Sequence, residues 1–225
     1  MEQEILKVEQ SEELAYFIGV MQGDGYFGSY PVYDRGRTEM RHVLSLKVKD
    51  AEMVTKIQSI WLSIFGRKRK IHLRPCGRLE LTVAVKTLLE IFKKLDIDFK
   101  DPPKPPGWVK EDIKFFGPYL AGVIDADGDV HIKRPQYPQC LIRITSGHPQ
   151  LELEKSIKDI LGCGAAIYER YMYVKQWGII CHSFRLHFLV SSKTIHSFTK
   201  HVLPYIQIPR KKDKILKYIK TTSNN

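Results

Sequence analysis

The chain has 225 residues and a mass of 26.1 kDa, room for one larger domain or two small ones, since an ordinary core needs about 100–150 residues. Its 43% hydrophobic, 11% aromatic and 27% charged residues are globular values, which excludes a wholly disordered, collagenous or fibrous chain. Lys and Arg outnumber Asp and Glu by 36 to 25, a net charge of +11 with a pI near 9.4, and such a surface favours a polyanion: nucleic acid first, an anionic membrane second.

The opening MEQEILKVEQSEE is acidic, with no basic n-region and no apolar h-region after it, so no secretory signal is expected. No uncharged apolar run approaches the ~20 residues that span a bilayer, Leu14–Met21 being the nearest. The expectation is a soluble, intracellular protein of the cytoplasm, nucleoid or an organelle matrix. Cys76, Cys140, Cys163 and Cys181 are 64, 23 and 18 residues apart, without a C-x-x-C pair, and read as reduced thiols rather than a zinc site or disulfide framework.

In chain order, Ser11 is placed to cap a helix over Glu12–Gly23, with Leu14, Phe17, Ile18 and Met21 at helical spacing and Asp24-Gly25 as its end. Extended segments are expected over Tyr26–Val32 and Glu39–Val48, followed by a helix opened by Asp50, running to Phe65 and stopped by Gly66. Lys70, His72 and Arg74, then Arg78, Glu80 and Thr82, alternate with apolar residues on either side of Pro75-Cys76-Gly77, a hairpin with one apolar and one mostly charged face. A helix over Lys86–Leu95 closes this half. Asp101–Asp112 holds four prolines and a glycine and reads as a linker without helix.

The order then repeats: a helix over Phe116–Ala126, strands over Asp129–Lys133 and Gln139–Ser146, a helix over Pro149–Leu161, strands over Ala165–Lys175 and His182–Val190, and a helix over Ser191–Val202. Both halves are αββαββα-like, a duplication. The expected division is residues 1–100, a linker 101–112, and residues 113–225. Asp213–Thr221 adds a short basic helix, read as a solvated, fraying end.

The first helix of the second half ends Leu120-Ala121-Gly122-Val123-Ile124-Asp125-Ala126-Asp127-Gly128, and 103 residues earlier the first-half helix ends Phe17-Ile18-Gly19-Val20-Met21-Gln22-Gly23-Asp24-Gly25. Gly19 and Gly23, like Gly122 and Ala126, are four apart on one helix face, which permits a close backbone approach. An aspartate at a helix C-terminus meets an already negative dipole, at a cost of roughly 0.3–1 kcal/mol. If the helices pack side by side, Asp24 and Asp127 cluster, and such a pair is tolerable when protonated or when cations sit between them. A divalent metal shared with a polyanion fits this pattern. The alternative is turn chemistry, for which Asp-Gly is a common dipeptide.

LAGVIDADG resembles the LAGLIDADG motif with one change in nine positions. With its degenerate first copy, the chain resembles the single-chain, two-repeat LAGLIDADG homing endonucleases over about residues 8–220. The resemblance implies an α+β fold of two pseudo-symmetric αββαββα repeats, each with a saddle-shaped antiparallel sheet, packed through the motif helices in a monomer. It implies metal binding by Asp24 and Asp127, with the carbonyls of Gly23 and Ala126 as further ligands. The sixth motif position is Asp125 in one copy and Gln22 in the other, a departure at the helix end. Where the family commonly carries Gln-Lys-Asp, this chain has Val48-Lys49-Asp50 and Ser146-Gly147-His148, which leaves Lys49 as the basic candidate for chemistry.

The implied activity is a site-specific double-strand cut in DNA that promotes insertion of the chain's own intron. Mg²⁺ is the expected cofactor, with Mn²⁺ as a substitute and Ca²⁺ binding without cleavage. Curved antiparallel ribbons in the major groove present alternate side chains to base edges. The candidates are Arg35, Arg37, Arg41, Lys47, Lys70, His72, Arg74, Arg78 and Glu80, and, in the second half, His131, Lys133, Arg143, Thr145, Arg170, Arg185 and His187. Because the halves differ at these positions, the target is expected to be asymmetric. Arg67-Lys68-Arg69-Lys70 fits a phosphate-contacting loop better than a nuclear-localisation run. Tyr168, Tyr171, Tyr173 and Trp177 suggest stacking on single-stranded RNA, against the commoner role of core or sheet surface. Cys181, His182 and His187 fit no structural zinc spacing. Met1 in place of a nucleophilic Cys or Ser, and Asn224 rather than His before Asn225, favour a free-standing or intron-encoded enzyme over an intein. The alternative class is an intron RNA maturase or a catalytically silent DNA-binding protein.

Overall fold

The computed structural model describes residues 8–34, 36–66, 68–99, 102–134, 138–176 and 178–223. The first half runs α1 (Glu12–Gly23), β1 (Gly25–Asp34), β2 (Arg37–Val48), α2 (Ala51–Phe65), β3 (Ile71–Leu73), β4 (Leu79–Ala84), a 3₁₀ turn at Lys86–Leu88 and α3 (Leu89–Lys94). After α4 (Gly107–Glu111) the second half runs α5 (Ile113–Asp127), β5 (Gly128–Lys133), β6 (Gln139–Ser146), α6 (Leu151–Leu161), β7 (Ala165–Val174), β8 (Ile179–Val190), α7 (Ile195–His201), a 3₁₀ turn at Leu203–Tyr205 and α8 (Pro209–Ser223). The expected α+β duplication is present: two four-stranded antiparallel sheets with matching orders β1-β2-β4-β3 and β5-β6-β8-β7.

Alternation along the strands sorts the side chains. Leu44, Leu46, Leu81 and Val83 in one sheet, and Ile142, Ile144, Leu186 and Phe188 in the other, are buried. They pack with Met53, Ile57 and Trp61 of α2 and Leu153 and Ile157 of α6 in one continuous core. α2 and α6 each stop at a left-handed glycine, Gly66 (φ +62°) and Gly162 (φ +68°), a conformation that disfavours any residue with a Cβ. From Leu14 to Gln22 every residue of α1 is buried, as expected of a helix enclosed on all sides.

Several element expectations need correction. Strands β1 and β2 extend to a tight turn, Asp34 pairing with Arg37, because antiparallel pairing continues past the apolar residues that the sequence pattern detects. Strand β8 starts at Ile179, pairing with Val174, for the same reason. The proline-rich stretch contains a helix: all four prolines precede α4, the Pro106 carbonyl accepts from the Val109 and Lys110 amides, and buried Trp108 donates through Nε1 to Leu95 O at 3.0 Å. α5 begins at Ile113 because the Asp112 side chain accepts from the Lys114 amide at 2.8 Å, which places Pro118 inside the helix. The last helix is neither short nor solvated. It starts at Pro209, a residue suited to a first helical turn, and buries Lys211, Ile215 and Tyr218.

Candidate active site and nucleic-acid face

α1 and α5 cross with their glycines facing each other. A Cβ built on Gly19 would lie 2.1 Å from Tyr119 O, and one on Gly122 would lie 2.3 Å from Tyr16 O, so only glycine lets these backbones meet. Two hydrogen bonds repeat the symmetry at the helix ends. Tyr16 donates its hydroxyl to Asp125 Oδ2 at 2.9 Å, and Tyr119 donates to Gln22 Oε1 at 2.7 Å. The sixth motif residues thus receive equivalent partners across the interface, and each also ties down a passing chain. Asp125 accepts the amides of Gln207 (2.7 Å) and Ile208 (3.2 Å). Gln22 donates to the carbonyls of Asp98 (2.7 Å) and Lys104 (3.0 Å) and accepts the Lys104 amide (3.1 Å).

Asp24 and Asp127 come together below this crossing. A Cβ on Gly23 would sit 2.5 Å from Ala126 Cβ and 3.0 Å from Asp127 Oδ2, so the Asp127 carboxylate rests over the glycine that precedes Asp24. Burial, then the charge of Asp24, pushes the Asp127 carboxyl up to about 7, with Lys211 opposing. Burial also raises Asp24, with Lys211 and Arg78 drawing it down and Asp50 adding to the rise. Asp125 is raised by burial against the Gln207 and Ile208 amides, the Tyr16 hydroxyl and Lys211. The oxygen-only donors of Asp24 and Asp127, partly buried at negative helix ends, suit a hard divalent cation. No group of three or more His, Cys, Asp or Glu that could hold a metal occurs among the described residues, so the remaining oxygens would come from backbone carbonyls, solvent or a phosphate.

Lys49 is exposed at the end of β2, next to Asp50. The buried cation is one that sequence reasoning missed. Lys211, 4% exposed, donates to Ile124 O and Asp125 O at 2.7 Å each, capping the C-terminus of α5. Its neighbour Arg210 holds both Asp50 carboxylate oxygens at 2.8 and 3.1 Å. Tyr16 and Tyr119 were also missed, yet they stand 103 residues apart at one repeat position, a signal available from aligning the halves. Lys211 has no such copy.

Register places Arg37, Arg41, Lys47, His72 and Glu80 on the first sheet's face opposite the core. Lys70, Arg74 and Arg78 flank the β3–β4 hairpin as exposed residues, and Arg74 pairs with Glu80. His131, Lys133, Arg143, Thr145, Arg170, Arg185 and His187 share the equivalent face of the second sheet. Asp129 pairs with Arg143 there, yet positive charge dominates. Burial and the charges of Arg170 and Arg143 lower Arg185, and burial with Arg185, Arg143 and Lys133 lowers His187. Arg143 Nε, Arg185 Nε and His187 Nε2 are buried without a hydrogen-bond partner among the described residues, which marks crowded donors short of acceptors. Arg35, Arg67 and Trp177 lie outside the described residues. Tyr168 is on this face beside His187, whereas Tyr171 and Tyr173 point the other way, Tyr171 stacked on His182 at 4.5 Å. All four cysteines are free, and no helix among the described residues is long and apolar enough to cross a membrane.

No family model matches the sequence and no curated protein matches it significantly. Solved structures do. The I-LtrWI LAGLIDADG homing endonuclease bound to target DNA superposes with a TM-score of 0.58 at 13% identity, over 94% of this chain and 91% of that one. I-DmoI in complex with DNA and Mn gives 0.54 at 18% identity, over 85% of this chain and 96% of that one. The I-SmaMI LAGLIDADG homing endonuclease bound to cleaved DNA gives 0.55 at 12%, over 95% and 89%. The chain has the LAGLIDADG homing endonuclease fold. Within that fold the motif helices are α1 and α5, and Asp24 and Asp127 stand at their ends.

Proposed function

We propose that this chain is a divalent-metal-dependent DNA endonuclease that makes a double-strand cut in a long asymmetric target and so promotes mobility of its own intron. The observation that carries the reading is the clustering of Asp24 and Asp127 at the ends of two glycine-packed helices, beside two sheet faces crowded with cations. Such faces suit phosphate contacts and groove readout. The different cations of the two halves suit a non-palindromic site bound by a monomer, with residues 1–100 and 113–225 as repeats joined by 101–112.

Hydrolysis of each strand adds one water oxygen to phosphorus and breaks the P–O3′ bond, leaving a 5′-phosphate and a 3′-hydroxyl. Asp24 and Asp127, with the carbonyls of Gly23 and Ala126, would hold the cation. When bound, it supplies positive charge at the phosphate and acidifies water. The chain's own contribution is placement: the α1–α5 packing fixes the carboxylates, Lys211 and Arg78 oppose the rise that burial imposes on Asp24, and Lys49, exposed at the end of β2 next to Asp50, is assigned to proton movement. Mn and Ca accompany DNA in I-DmoI complexes; for this chain Mg²⁺ or Mn²⁺ is proposed to support cutting and Ca²⁺ only binding.

The test is cleavage of a plasmid library carrying randomised long sites or intron-free alleles, with Mg²⁺, with Ca²⁺, and with Asp127→Asn. Discrete Mg²⁺-dependent double-strand cuts that vanish in the variant are expected. Tight binding of DNA or intron RNA without cutting in any metal would overturn the nuclease reading in favour of a maturase or silent binder.

A further inference from the structure

The two sheets can be compared position by position, because their registers match. Gly25 pairs with Leu46 and Leu46 with Leu81 in the first, as Gly128 pairs with Ile144 and Ile144 with Leu186 in the second. The residues on either side of these anchors lie on the face opposite the core, and they differ in kind between the halves. Where the first sheet sets Ser45 opposite Thr82 and Lys47 opposite Glu80, the second sets Arg143 opposite His187 and Thr145 opposite Arg185. The first set mixes donors with an acceptor: a hydrogen bond from Arg74, with the charges of Lys47 and His72, holds the Glu80 carboxyl below its usual range. The second set is almost all donors. Asp129 is the one acid on its face among the described residues, it is taken up by Arg143, and Arg143 Nε, Arg185 Nε and His187 Nε2 have no hydrogen-bond partner there.

All of these positions are on inner strands, β2 and β4 in one sheet and β6 and β8 in the other. A duplex seated on such a face sets the floor of its major groove, the base edges, over the inner strands and its phosphates over the rims. The edges differ in what they offer. Guanine presents two acceptors, N7 and O6, and is met by donors such as Arg, whereas adenine presents an acceptor beside a donor, N7 and N6, and its partner thymine adds a methyl group. A surplus of donors matches guanine. Lys47 beside Glu80, with the Ser45 hydroxyl and the hydroxyl and methyl of Thr82, matches an A·T pair. Resting on the DNA-binding part of the reading above, we propose that the target is asymmetric in composition: G·C pairs face Arg143, Arg185 and His187 in the half-site of the second repeat, and A·T pairs stand at the dyad-related steps in the half-site of the first, facing Lys47, Glu80 and Thr82.

The experiment selects duplexes from a library carrying a long randomised tract, bound by the full chain in Ca²⁺ and in EDTA and then sequenced, so that no cutting is required. The wild type should recover a motif in which G·C exceeds A·T by about tenfold at adjacent pairs on one side, with A·T in excess at the matching distance from the centre on the other. Arg185→Ala should bring the G·C preference at one of those pairs to within about twofold and leave the other half of the motif unchanged. Glu80→Arg, on the face opposite the core of the other repeat, is the second variant and keeps the test open if Arg185→Ala fails to fold. It should install G·C at the matching pair of the first half-site. Equal G·C preference in both half-sites of the wild type, or a motif unchanged in folded Arg185→Ala or Glu80→Arg protein, would overturn the proposal. The recovered duplexes are then incubated with Mg²⁺. Cutting without the asymmetry leaves the nuclease reading standing and removes this proposal, the asymmetry without cutting does the reverse, and recovery of no motif overturns both.

Discussion

Gly19 shows how much of this molecule turns on single atoms. With a hypothetical Cβ only 2.1 Å from the Tyr119 carbonyl oxygen, Gly19→Ala must push the motif helices apart, and overpacking of this kind costs about 2–4 kcal/mol. A urea midpoint lowered accordingly, with Gly147→Ala in open space as the neutral comparison, is the expected result; an unchanged midpoint would contradict the packing. At Asp127 the sign is opposite. Its carboxyl moves from an ordinary 3.8 to about 7 on folding, so the folded protein holds this proton more tightly, and stability is fully present below about pH 4 and falls as pH rises toward 7. Asp127→Asn removes the penalty. In metal-free buffer it should raise stability at pH 8 by on the order of 2 kcal/mol and change it little at pH 4. Thermal melts at both pH values decide it, and a lower Tm at pH 8 would sink the electrostatic account.

At the scale of elements, α8 ties the acid centre to the second sheet: Lys211 caps α5, Arg210 reaches Asp50, and Lys214 donates to Val130 O at 3.1 Å. Burial of Ile215 beneath it predicts that Ile215→Ala costs about 2–4 kcal/mol, measurable by denaturant unfolding; a cost under a few tenths would return this helix to the status of a solvated tail. Sequence reading assigned it that status because Arg210, Lys211, Lys212, Asp213 and Lys214 swamp the apolar period that Ile215 and Tyr218 keep. The motif helices were legible for the opposite reason, since Gly19, Gly23, Asp24 and their repeats 103 residues on leave a pattern that two copies make visible. Strand ends were legible only to within a few residues, because hydrogen bonding in β1–β2 and β7–β8 outlasts burial. The acids of the candidate site could be named from the motif. Lys211 could not, because its burial depends on where a chain segment after the last 3₁₀ turn happens to pass.

For the whole molecule, the cationic sheet faces predict binding governed by salt. The logarithm of DNA affinity should fall linearly with the logarithm of salt concentration, and Arg185→Ala should reduce the slope by about one if Arg185 meets a phosphate, or relax base preference at one position if it reads a base. Fluorescence anisotropy across a salt series distinguishes the two, and loss of neither slope nor selectivity would remove Arg185 from the interface.

The crossed tyrosines have a further consequence for recombination. Tyr16 serves a residue of the second repeat and Tyr119 serves a residue of the first, so neither repeat carries its own complete set of hydrogen-bond partners. A chimaera joining residues 8–99 to a foreign second repeat leaves the Gln22 amide oxygen without its hydroxyl donor unless the incoming helix has a tyrosine in the place of Tyr119. Modular exchange of half-sites is thus governed by a two-residue compatibility key, set at the dyad and independent of which bases either sheet reads.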